Sequence, residues 1–387
     1  MLLAFVPVVA ARRGNSSKPP STVAAVYVAP MPAAKVTLEV LPAGYGDCLL
    51  VTCPVGQRSW RMLVDTGPDE CWPMLRERLA QVPVNAKGQR HLDLVVITHI
   101  DHDHIGGASA LFGDNGLGLT FGDVWFNAPT MPAARGVAEG RSLATILGGS
   151  KAMLPWNKAW GGRHAVTPVE SPFVELPSTQ GQPRITVLSP TPEALVRMFN
   201  VWDKELLRLR QPPEQPPAHP VARDRGVMDL EALARKATAV DRAPANGSSI
   251  TLLLEHKGVS ILLGADAHAA VLVPALQALA AHRRQTLPLR VDAFKLSHHG
   301  SRANITTDLF RAVQAEHYIV STNGAIFRHP DDEAVARVIV GSTGARTLWF
   351  NFENDRHDRW REPALLARYG YEVAFPTAGT AGLKLAF

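Results

Sequence analysis

Leu92-Asp93-Leu94-Val95-Val96-Ile97-Thr98-His99-Ile100-Asp101-His102-Asp103-His104-Ile105-Gly106-Gly107 decides how this chain is read. The first six residues form an apolar run that reads as a buried strand. The chain then releases three His and two Asp between positions 99 and 104. Folding alone does not ask for such a group, whereas imidazole and carboxylate are the side chains that hold divalent metals. A loop at a strand end can aim several of them at one point, and the two glycines allow a tight turn into a helix behind the cluster. The competing reading is a solvated polar loop.

Other strand ends carry the same residue types. Ile261-Leu262-Leu263-Gly264-Ala265-Asp266 places Asp266 just beyond an apolar run, where a carboxylate can bridge two cations with its two oxygens. The alternative is a helix cap or first-turn acid ahead of Ala269-Ala270-Val271-Leu272-Val273. His298 and His299 end a strand around Val291 to Leu296. Strand side chains alternate between faces, so one of the two is expected to face the metals. His298 is favoured, leaving His299 behind it or against substrate. Asp65 ends the strand Arg61 to Val64; otherwise it is an Asp that bonds its own turn. Asn246-Gly247 fits a hairpin turn, His329-Pro330 a surface turn, and His268 an exposed helix face.

Taken in order, these elements resemble the metallo-β-lactamase superfamily. They are most similar to the hydrolase domain of the competence DNA-uptake protein ComEC and its free-standing relatives. The family loop His-x-His-x-Asp-His is written His-x-Asp-x-Asp-His in that branch, which gives His99, Asp101, Asp103 and His104. Gly44-Tyr45-Gly46-Asp47, Asp65-Thr66-Gly67, Asn246-Gly247-Ser248-Ser249, Gly264-Ala265-Asp266 and Lys295-Leu296-Ser297-His298-His299-Gly300-Ser301 resemble its further motifs, between about residues 36 and 330. The resemblance implies an α/β fold, a four-layer αβ/βα sandwich with the site at one edge. It implies His99, Asp101, Asp103, His104, Asp266 and His298 as metal ligands. Asp47, Asp65, Asn246, Ser249 and Lys295 would support them or contact substrate, with Asp65 behind a ligand His.

One or two divalent cations are expected. Asp101 stands where the family has its second His, and the oxygen-rich set brings manganese into competition with zinc. The family also has a His between the main loop and Asp266. His164, His219 and His256 lie in that interval, none at a convincing strand end. The expected reaction is hydrolysis by metal-activated water. Asp103 would accept a proton, and His299 or His329 would protonate the leaving group. The branch favours a phosphodiester, in nucleic acid or a nucleotide, and hence an anionic partner. Thioester or lactone hydrolysis, or a non-catalytic metal-binding interaction module, are the other readings.

Composition agrees with a globular enzyme: 387 residues, 46% hydrophobic, 19% charged. A net charge of +5 permits an anionic substrate without demanding one. Cys48, Cys53 and Cys71 lack metal-finger spacing and read as reduced thiols of a cytoplasmic protein. The apolar opening Met1 to Ala10 is too short to cross a bilayer, and Arg12 and Arg13 follow it, the reverse of a secretory signal. Residues 1–35 read as a disordered or mis-started lead, and 36–387 as the hydrolase domain. A helical, Pro-rich insertion is expected at about 128–245, with the spacer Pro212 to Pro217, as a candidate docking surface for a protein.

Overall fold

The computed structural model describes residues 35–129, 154–179, 181–208, 228–377 and 382–387. The expected lead, except Lys35, and the Pro-rich spacer lie outside the described residues. Apolar runs in this chain become strands covered on both faces. In Leu49–Val55, Leu49, Val51 and Cys53 join one apolar cluster while Leu50 joins another. In Val259–Leu263, Ile261 and Leu263 turn one way and Leu262 the other. Period-two alternation thus separates two buried layers, which is why these strands read as continuous rather than alternating hydrophobic runs.

Two sheets result. The first runs Leu383–Ala386, Thr37–Val40, Leu49–Val55, Arg58–Val64, Leu94–Val96, Val124–Trp125 in spatial order. The second runs Glu372–Ala374, Thr347–Phe350, Val313–Val320, Leu289–Lys295, Val259–Leu263, Thr251–His256, Arg184–Ser189, Val174–Glu175. One apolar cluster fills the space between the sheets, with Leu38, Val51 and Met62 meeting Leu252, Ile261 and Ile319. A second packs the first sheet against the helices Trp72–Ala80 and Ala108–Gly113. A third packs the second sheet against Ala269–His282, Thr307–Ala312 and Asp332–Gly341. Helix, sheet, sheet, helix is the four-layer sandwich expected.

The interval 128–245 is not all appendage. Its strand Arg184–Ser189, buried at every position but the first, pairs antiparallel with Thr251–His256 inside the second sheet. The helix Leu230–Arg235 in the same interval stops at Arg235. There the Arg337 guanidinium captures its last carbonyls, donating to Ala234 O at 3.2 Å and Lys236 O at 2.7 Å. Among the described residues no helix is long and apolar enough to cross a membrane. All three cysteines are buried free thiols.

Arg58–Val64 and Leu94–Val96 run parallel, as do Val259–Leu263, Leu289–Lys295 and Val313–Val320. Their carboxyl ends therefore open on one edge of the sandwich, where α/β architectures collect ligands. Backbone bonds tie the halves there: Ile250 N donates to Thr98 O at 3.0 Å, and Asn323 N to Gly44 O at 2.8 Å.

Candidate metal centre

Each strand end delivers its side chain through a sharp turn. Asp65, Ala265, His298 and His299 all hold left-handed backbone, with φ of 59°, 43°, 49° and 52°. Non-glycine residues rarely accept this conformation, and such strain concentrates at functional sites. Gly46 lies so close to the metal-loop backbone that an added Cβ would sit 1.9 Å from Asp103 O. This is a close approach that only glycine permits.

The geometry corrects the alternation argument for the two histidines. Leu289–Lys295 has ended before them, and two successive left-handed residues turn both rings inward. His298 Nε2 lies 3.7 Å from Asp266 Oδ2, and His299 Nε2 lies 3.2 Å from Asp103 Oδ2.

The proton on each imidazole can be placed from its partners. His104 Nδ1 is 2.8 Å from Asp65 Oδ2, and His299 Nδ1 is 2.7 Å from the Ser321 carbonyl; both partners only accept. His99 Nδ1 meets Thr98 Oγ1 at 3.0 Å, and that hydroxyl already donates to Asp65 Oδ2 at 2.8 Å, so it accepts from His99. His298 Nδ1 meets Asn304 Oδ1 at 2.9 Å, and Asn304 Nδ2 is spent on Asp241 Oδ2, Asp266 O and Ala267 O. All four rings therefore carry their proton on Nδ1 and turn an Nε2 lone pair into the site.

What these lone pairs face is more acceptors. Asp266 Oδ2 lies 3.8 Å from His99 Nε2, while Asp266 Oδ1 lies 3.4 Å from His104 Nε2 and 3.9 Å from His299 Nε2. Asp101 Oδ2 stands 3.7 Å from His99 Nε2, and Asp103 Oδ2 3.7 Å from His104 Nε2. Nε2 of His99, His104 and His299 and Oδ1 of Asp266 are buried with no hydrogen-bond partner. Orphaned acceptors facing one another need positive charge between them. Ligands bound at 2.0–2.2 Å around a tetrahedral cation stand roughly 3.4 Å apart, the spacing seen here. Ligand atoms of His104, His299 and Asp266 lie, with one of Asp47, within 4.8 Å of one another, and these residue types fit a divalent cation.

The same carboxylates govern how the rings titrate. Burial works to lower the His104 pKa, but Asp266, Asp103 and Asp65 outweigh it and hold it well above the ordinary value. Against the same burial effect, Asp266 lifts His298 to about 9, and Asp47 raises His299. Burial would raise Asp103 and Asp266; their neighbouring imidazoles pull both down instead.

The remaining expected residues lie around this core. Asp47 brings an oxygen within 4.8 Å of donors on His104, Asp266 and His299. Its contacts go to the outer nitrogens, His299 Nδ1 at 3.4 Å and His104 Nδ1 at 4.0 Å, and it is ion-paired to buried Lys295. We therefore place it behind the rings. Asp65 takes Thr98 N at 2.7 Å as well as His104, so it bonds no turn of its own. Ser249 Oγ accepts from Asp266 N at 3.3 Å. Asn246 lies in a helical turn, Pro244–Gly247, rather than a hairpin, and gives Nδ2 to Asp241. Asp101 and Asp266 make no helix caps: the cap positions of the helices they precede show no side-chain bond.

His329 stands outside the cluster, its ring centroid 5.1 Å from that of His298 and its Nδ1 3.4 Å from Asp331 Oδ2. Burial lowers its pKa. His102 turns away to Tyr45 and Asp69. His268 is not on an exposed face; it stands just before Ala269–His282 with its side chain 15% exposed beside Asp241. His164 bonds Ala128 O and His256 bonds Pro54 O, so neither supplies the family's missing ligand; His219 lies outside the described residues. Asp241 and Asn304, which fix His298, had no motif to announce them.

Residues 42–162 match the family model described as the metallo-beta-lactamase superfamily. The matched segment carries Asp47, Asp65 and the whole metal loop. Among solved structures, the chain is similar to the metallo-beta-lactamase fold protein YhfI from Bacillus subtilis at 12% identity, over 91% of this chain and 100% of that one, with a TM-score of 0.40. It is similar to Zn(2+)-bound PqqB from Methylobacterium extorquens at 15% identity, over 88% and 87%, with a TM-score of 0.40. A mutant of the CmlA beta-hydroxylase aligns at 13% identity, over 92% of this chain and 55% of that one, with a TM-score of 0.38. No curated protein matches the chain.

Proposed function

We propose that this protein is a metal-dependent phosphodiesterase of the ComEC-like branch, acting in the cytoplasm on an anionic, phosphate-containing substrate such as a nucleotide or nucleic acid. The observation that carries it is the set of buried Nε2 lone pairs turned toward the carboxylates of Asp101, Asp103 and Asp266. His99, Asp101, His298 and Asp266 would hold one cation; Asp103, His104, His299 and Asp266 the other. Mixed imidazole and carboxylate donors suit zinc or manganese. Divalent cations held there lower the pKa of water toward neutrality and offset negative charge on a phosphoryl oxygen.

The chain's own residues then divide the work. Asp65, Thr98, Ser321 and Asn304 keep the protons of His104, His99, His299 and His298 on Nδ1 and aim each Nε2. His299 has its one proton committed to Ser321, which leaves it no proton for a leaving group. His329, neutral through burial and backed by Asp331, can take a proton at the mouth and return it to the departing oxygen.

The test is metal-stripped protein refilled with manganese or zinc and assayed on bis-p-nitrophenyl phosphate. Metal-dependent turnover that His104→Ala abolishes, with the fold intact by circular dichroism, supports the proposal. Bound metal without turnover moves the substrate to a thioester or lactone, or leaves a non-catalytic module. No metal binding overturns the reading.

A further inference from the structure

The four imidazoles are not held alike. His104 rests directly on the Asp65 carboxylate and His299 on a backbone carbonyl, and their side chains are 0% and 1% exposed. His298 and Asp101, on the other side of Asp266, are 22% and 23% exposed. His298 is held at one remove. Its Nδ1 meets Asn304 Oδ1, and Asn304 is oriented by giving Nδ2 to Asp241 Oδ2 at 3.0 Å and to the carbonyls of Asp266 and Ala267 at 3.1 and 3.2 Å.

Asp241 is the hub of this support. Its Oδ2 also accepts from Asn246 Nδ2 at 2.7 Å and stands 3.4 Å from His298 Nδ1; its Oδ1 accepts from Ala243 N at 2.8 Å. His268 Nε2 approaches that oxygen at 3.6 Å. One carboxylate thus joins the segment before Asn246, the turn carrying Asn304 and the His298 ring.

We propose that Asp241 is a positioning residue that sets how tightly the outer cation position, bounded by His99, Asp101, His298 and Asp266 Oδ2, holds its ion. The two positions are then unequal. The inner one, walled by Asp103, His104 and His299, keeps its cation, while the outer one exchanges. This inference rests on the metal reading above. Supporting partners of a ligand His are worth about 10–100-fold in metal affinity. Asp241 works through an amide and on one position alone, so the loss should fall on one binding step.

The experiment titrates zinc into metal-free protein against a chromophoric chelator, for the wild type, Asp241→Ala and Asp241→Asn, with the melting temperature of each metal-free protein recorded. Wild type should show two steps. In Asp241→Ala the weaker step should weaken about 10–100-fold while the tighter one holds. Asp241→Asn keeps an acceptor for Asn304 and should fall between. Should the alanine variant not fold without metal, the asparagine variant carries the test. Equal weakening of both steps, alongside a lowered melting temperature, would mean a merely structural role and overturns the proposal. Unchanged steps, or a single step in wild type, overturn it as well. Absence of any zinc binding by wild type would sink the metal reading itself, and this inference with it.

Discussion

Replacing Asp65 with Asn changes one atom behind two ligands. The carboxylate accepts three bonds: Thr98 N on Oδ1 at 2.7 Å, and Thr98 Oγ1 and His104 Nδ1 on Oδ2, each at 2.8 Å. An amide has one acceptor and one donor end, so two orientations are open to it. With its oxygen kept toward Thr98 N, the new NH2 faces His104 Nδ1 and Thr98 Oγ1. His104 must then accept on Nδ1 and carry its proton on Nε2, where the ligand lone pair had been. Thr98 reverses too and donates to His99 Nδ1, which turns the second ring as well. A disrupted support of this kind costs about 10–100-fold in metal affinity per ring, roughly 1.4–2.7 kcal/mol. In the other orientation the rings keep their protons, but the NH2 opposes the Thr98 N–H and strands a buried donor, at about 1–3 kcal/mol of fold stability. Urea unfolding of metal-free protein and chelator competition with zinc measure the two costs separately. Asp65→Asn must lose on at least one of them. Wild-type stability together with wild-type zinc affinity would refute the assigned proton positions.

Two further outcomes follow from buried charge. Lys295 and Asp47 are ion-paired at 0% and 1% side-chain exposure; Lys295→Met should destabilise the metal-free protein by about 3–5 kcal/mol in urea unfolding, because Asp47 is left uncompensated. Adding Asp47→Asn to that variant should recover much of the loss, and a single variant within 1 kcal/mol of wild type, as roughly the scale of an exposed pair, would count against the reading. His357 is driven down to about 4 from 6.5, chiefly by burial, partly offset by its bond to Phe352 O. The folded state disfavours its proton, so this contribution is complete above pH 6.5 and is lost as the pH falls toward 4, by about 3 kcal/mol. Urea unfolding at a series of pH values should show the loss in wild type and a flatter acid limb in His357→Phe; parallel curves would contradict it.

The sequence carried the strand ends because a strand end is a local signal: an apolar run, then Asp65, His99 or Asp266. It carried the sandwich because alternating side chains of the same runs had two layers to fill. It failed where the partner is distant. Asp241 meets Asn304 across 63 residues of chain and its own run has no periodicity, so nothing local marks it. Arg184–Ser189 sits between Pro183 and Pro190 in an interval otherwise rich in turns, and only pairing with Thr251–His256 on one side and Val174–Glu175 on the other makes it an interior strand. For His298 and His299 the failure is of another kind. Alternation holds only while the backbone is extended, and the chain leaves that conformation at Ser297, one residue before His298.

That departure also says how the site is kept. Four non-glycine residues in left-handed backbone, at about 1–3 kcal/mol each, would relax if their loops were free. They are held because both halves of the sandwich close on them. Thr98 O takes Ile250 N, Ser321 gives its hydroxyl to Gly46 O at 3.2 Å, and Asn351 reaches Leu41 O at 3.3 Å. Asp65 and the metal loop come from the first half, Asp266 and the His298–His299 turn from the second. On the proposed reading Asp266 is the carboxylate that both cation positions would share, so neither half would have enough ligands alone. On that reading metal affinity would be coupled to the docking of the two sheets, and a cation bound there would stabilise that docking by mass action.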